Sequence, residues 1–107
     1  MPEADRVRAD SYEQRAEAAR RQGDLERALM FAARALVVRI AACGTECPEV
    51  GYSFVQLGDL RWENRQYAWA AQNYRRAVEV FQADAHGAPW AETARARLAL
   101  AERAAQR

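Results

Sequence analysis

At 107 residues the chain is long enough for one small core and too short for two. Half of its residues are apolar, but 25 of the 107 are alanine, which points to an all-helical protein with thin, closely packed faces. Sixteen arginines against fifteen acids leave a net charge of +1, so there is no general pull toward nucleic acid or anionic lipid and neither is expected as a partner.

No apolar run approaches the ~20 residues of a membrane span. The opening MPEADRVRAD is too polar and acidic for a secretory signal, and a cytoplasmic location is the expectation. Two cysteines, Cys43 and Cys47, are too few for a disulfide framework or a four-cysteine zinc site.

The first helix is predicted over about Arg6 to Gln22, where Ala9, Tyr12, Ala16 and Ala19 recur at three and four residues. Gly23 supplies a stop and Asp24 an N-cap, so a second helix folds back over about Leu25 to Ala42. Leu25, Ala28, Leu29, Ala32, Ala35, Leu36 and Arg39 form its core-facing stripe. The stretch Cys43 to Pro48 combines a breaker, polar residues and a proline suited to a helix start, which makes it a surface loop.

A third helix follows over about Pro48 to Asn64, with Val50, Phe54, Leu57, Gly58 and Arg61 on one face and Tyr52, Val55, Asp59 and Trp62 opposite. A glycine inside a helix costs roughly 1 kcal/mol against alanine, so Gly58 is expected to meet a partner helix closely, with Ala70 and Ala71 as its neighbours. The fourth helix, about Gln66 to Asp84, turns Tyr67, Ala70, Tyr74, Ala77, Val78 and Phe81 inward, and Trp69, Asn73, Arg76 and Val80 the other way. After a loop from Ala85 to Pro89, a fifth helix from about Trp90 carries Ala94, Leu98 and Ala101 inward.

Chemistry finds little support. Cys43 and Cys47 are near enough in sequence for a disulfide or a redox pair, yet two thiols in a cytosolic loop with no adjacent Lys or His are expected to be reduced and inert. His86, the only histidine, has no nucleophile beside it and is expected to be solvated. Glu13 and Glu17 lie one turn apart, but with Arg20 and Arg21 nearby they make a solvated charged face rather than a paired-carboxylate site. No phosphate loop or dinucleotide fingerprint is present, so no catalytic residue, cofactor or metal is expected.

The stretch from Leu57 to Ala77 has a weaker copy 42 residues earlier, in which Gly23, Leu25, Ala28 and Ala35 stand where Arg65, Tyr67, Ala70 and Ala77 stand later. The pattern Leu57, Gly58, Tyr67, Ala70, Tyr74, Ala77 resembles the tetratricopeptide repeat, and the 42-residue spacing resembles the longer-looped variety of kinesin light chains. The resemblance implies an all-α helix-hairpin solenoid with repeat one over about 6–42, repeat two over about 48–84 and a capping helix over about 90–105.

In this family the first helix of each pair lines a concave groove. The resemblance places there Tyr52, Val55, Asp59 and Trp62, flanked by Asp10, Glu13, Glu17, Arg20 and Arg21 on the first helix and Thr93, Ala96, Leu100 and Arg103 on the fifth. Trp62 is either the aromatic anchor of that groove or a cover for the end of the fifth helix. The carboxylate clamp of co-chaperones needs Lys and Asn where Glu13 and Glu17 stand, which disfavours a chaperone tail as ligand. Phe31, Val38, Trp69 and Val80 point away from their own hairpins: some are expected to pack against the next helix, and any that do not would form a second interface for self-association. The expected function is non-enzymatic binding of a peptide or helix of a partner protein; a structural homo-oligomer or an accessory subunit is the alternative.

Overall fold

The structure, a computed structural model, describes residues 1–84 and 87–107, so His86 and its expected solvation lie outside the described residues. The described residues form five α-helices and no strand: α1 Glu3–Arg21, α2 Leu25–Cys43, α3 Pro48–Glu63, α4 Tyr67–Gln82 and α5 Ala88–Ala105. The helices pack chiefly on their chain neighbours, as two antiparallel hairpins followed by a capping helix, in a slab of 43 × 36 × 17 Å. No helix among the described residues is long and apolar enough to cross a membrane.

The two hairpin turns are built alike. After α1 the N–H of Asp24 donates to the Ala19 carbonyl and that of Gly23 to Arg20; after α3 the N–H of Gln66 donates to Arg61 and that of Arg65 to Trp62. Both are the paired C-terminal bonds of a Schellman motif, which needs a left-handed residue at the turn. Gly23 (φ 79°) supplies it at no steric cost, and Arg65 (φ 60°) supplies it against the usual preference of a side chain. Asp24 then caps α2 by accepting from the Arg27 N–H at 3.1 Å.

Small residues set the distance between helices. Ala16 and Ala19 of α1 and Ala28 and Ala32 of α2 are buried in one cluster with Leu57 and Leu60 of α3. A second cluster joins α3, α4 and α5 through Val55, Ala70, Tyr74, Ala77, Phe81, Ala91 and Ala94. Gly58 does make a close approach, and its nearest neighbour is a ring: a Cβ there would sit 2.5 Å from Tyr74 Cε1, and one at Gly51 would sit 2.6 Å from Phe81 Cε1.

The stacking corrects the expected groove position of Val55 and covers Val38 and Val80, as expected for some of the outward residues. Val55 is buried in the α3–α5 cluster, while Val38 of α2 and Val80 of α4 are also buried, because a helix inside a stack is covered on two sides and not one. Arg39, on the expected core stripe, is only 5% exposed. Its guanidinium donates to Glu13 at 2.6 Å and to Ser53 at 2.7 Å, with Asp10 3.4 Å away, so one cation ties α1, α2 and α3 together.

Candidate partner-binding groove

Along the face shared by α1, α3 and α5, three hollows follow one another. The first, about 270 Å³, is lined by Glu17, Arg20, Gln56, Asp59 and Glu63, with Ala16 and Leu60 at its base. The second, about 220 Å³, lies between Asp59, Trp62, Tyr74, Arg97 and Leu100. A third, of about 300 Å³, continues past Trp62 and Leu100 to Arg103, Ala104 and Arg107. Asp59 borders the first two and Trp62 and Leu100 the last two, so the hollows adjoin along this face.

Its charges are arranged in pairs. Arg20 donates to both oxygens of Glu17 at 2.6 and 2.9 Å and reaches Glu63 at 3.4 Å, while Arg21 adds a contact to Glu17 at 3.3 Å. The hydrogen bond from Arg20, with its charge and that of Arg21, holds the Glu17 carboxyl down at about 2 against the partial opposition of burial; Glu17 raises Arg20 in return. Asp59 accepts from the Tyr74 hydroxyl at 2.5 Å and pairs with Arg97 at 3.0 Å. Burial first, and then this bond to Asp59, push the Tyr74 phenol far above its usual value, so Tyr74 remains a donor.

Between these pairs stand two apolar side chains. Trp62 is 37% exposed and packs one edge against Tyr67, with ring centroids 4.9 Å apart, while it also borders the last turns of α5; Leu100 is 50% exposed. Gln56 presents a buried side-chain oxygen with no hydrogen-bond partner among the described residues. The lining thus offers apolar contact, paired ions and an amide, the chemistry of recognition.

The structure brings together Glu17, Arg20, Asp59 and Trp62 of the expected groove, with Arg103 at its far end. Arg21 lies beside Glu17 at the margin. Glu13 is drawn off to Arg39, and Val55 is in the core. Tyr52 lies toward the other end of α3, edge-on to Trp90 at 4.8 Å and to Phe81 at 5.6 Å, and lines none of the three hollows.

Gln56, Glu63 and Arg97 enter the groove without having been singled out in the sequence. A signal existed for Arg97: aligning Pro48 with Pro89 puts Arg97 where Gln56 stands, so Gln56 sits by Glu17 of the preceding first helix as Arg97 sits by Asp59.

On the outward face, Phe31 is half-buried, with its ring centroid 6.4 Å from that of Tyr12 and the Arg15 and Arg27 guanidinium carbons within 6.0 Å. Trp69 remains 55% exposed, with the Arg61 guanidinium carbon 5.3 Å from its centroid. With Val38 and Val80 buried, the four residues do not form one exposed apolar patch. The turn after α2 is also corrected: Cys43 and Cys47 are joined by a disulfide rather than being two free thiols.

Comparison with known proteins gives no match to a curated protein or to a solved structure. A family model described as Tetratricopeptide repeat matches residues 7–83, a span that takes in both hairpins with their paired Schellman turns. With its helical hairpins stacked through alanines and Gly58 packed against the Tyr74 ring, the chain belongs to the tetratricopeptide repeat family.

Proposed function

We propose that this chain is a non-enzymatic interaction module that takes an extended peptide or a helix of a partner protein along the groove from Glu17 to Arg103. One observation carries this reading: the three hollows adjoin along one face, and Trp62 and Leu100 stand half-exposed where two of them meet, while Glu17, Arg20, Asp59 and Arg97 beside them are already paired within the protein. A ligand placing an apolar side chain against Trp62 and Leu100 removes both from water. The charged rim gives selection more than affinity. The 42-residue spacing supports placing the chain in the longer-looped variety similar to kinesin light chains.

Peptides selected from a random library on the wild-type chain, then measured by calorimetry, test the reading. Trp62→Ala and Leu100→Glu should each weaken binding by at least about 30-fold, the equivalent of the roughly 2 kcal/mol of a buried aromatic anchor. Circular dichroism should show unchanged helix content. Equal affinity for the wild type and both variants would overturn the groove.

A further inference from the structure

The turn between α2 and α3 carries the chain's two cysteines on fixed supports. Cys43 is the last residue of α2 and Cys47 is the N-cap of α3, with their Cα atoms 6.0 Å apart. Glu49, in the first turn of α3, brings a carboxylate oxygen within 4.8 Å of both sulfurs. One turn back from Cys43, Arg39 of α2 donates to Ser53 of α3 at 2.7 Å, so the helix ends that hold these groups are pinned together independently of any ligand. Over residues 40–60 the chain has no Arg, Lys or His, while Glu46 and Glu49 flank Cys47; the local charge favours a cation.

We infer that the reduced Cys43 and Cys47 thiols and the Glu49 carboxylate form a three-ligand site for a borderline-soft divalent cation of the zinc class, and that the disulfide is its closed state. Two thiolates and a carboxylate are donors such an ion accepts, and three protein ligands leave a fourth position for water or for a side chain of a partner. As the ion binds, each thiol gives its proton to solvent, so one cation enters and two protons leave.

A small-molecule disulfide closes the site by exchange. One cysteine thiolate attacks a sulfur of the reagent and expels a thiolate, and the second cysteine attacks the mixed disulfide and expels the other. The cysteines lose two electrons, the reagent gains them and leaves as two thiols, and the cation is released.

The test uses the full chain, reduced with a phosphine and titrated with cobalt(II), whose thiolate charge-transfer absorption reports sulfur ligation, followed by displacement with zinc(II). The expected result is one cobalt per chain, with the absorption bleached by zinc and absent from the chain oxidised by a small-molecule disulfide. Cys43→Ser and Cys47→Ser should abolish the absorption at unchanged helix content, and Glu49→Gln should weaken cobalt binding by at least about tenfold. Lack of sulfur ligation in the reduced wild type, or equal cobalt binding by the oxidised chain or the serine variants, would overturn the site. Unchanged affinity in Glu49→Gln would overturn the carboxylate's part in it.

Discussion

Tyr74 makes two demands on its neighbours that a sequence pattern compresses into one. Its ring needs a position without a Cβ, which Gly58 supplies, and its hydroxyl needs the carboxylate of Asp59 one residue on. Gly58→Ala should therefore destabilise the fold by about 1–3 kcal/mol, because a ring held by a hydrogen bond at its far end cannot swing clear of the added methyl. Chemical denaturation measures that loss.

Glu17 gives a second prediction at this scale. A carboxyl held near 2, below its ordinary 4.5, contributes stability that is fully present above pH 4.5 and is lost as the pH falls toward 2. A carbon-detected titration should place its midpoint well below 4.5, and Arg20→Ala should return it toward that value. A wild-type midpoint near 4.5 would mean that the pair is not held in solution.

At the scale of elements, the two hairpins run the same turn with unequal residues. Arg65 adopts the left-handed conformation that Gly23 adopts freely, and nothing in its side chain requires an arginine there. Arg65→Gly should stabilise the protein by about 0.5–1 kcal/mol, seen as a raised denaturation midpoint with an unchanged slope.

The periodicity located Ala9, Ala16, Ala28, Ala35, Ala70 and Ala77 correctly on buried faces, and the cap at Asp24 marked the start of α2 within a residue. It misplaced Val55, and left open whether Val38 and Val80 are covered, for one reason. A hydrophobic stripe reports a helix's stronger interface, and in a stack every inner helix has two.

For the whole molecule, the contrast between α3 and α5 matters most. The face of α3 that packs on α4 uses Gly51, Phe54 and Gly58; aligned by Pro48 and Pro89, the same positions on α5 are Glu92, Arg95 and Ala99, all exposed. A polar outer face lets α5 cap the stack without another helix against it. Replacing it by Glu92→Leu and Arg95→Phe should produce concentration-dependent self-association in light scattering, whereas the parent face should give none through this surface. A monomeric double variant would show that α5 does not protect the end in this way.

What the sequence determined by itself was local. Helix periodicity, caps and turn residues act within a few positions of each other, so five helices, their turns and the family pattern could be read along the chain. The tertiary structure decided whatever depends on how one hairpin sits on the next. It gave Glu13 to Arg39 instead of the groove, set Arg97 against Asp59, moved Val55 into the core and closed Cys43 onto Cys47. An arginine side chain spans several ångströms and finds its acid across a helix interface, and helix periodicity carries no information about that crossing.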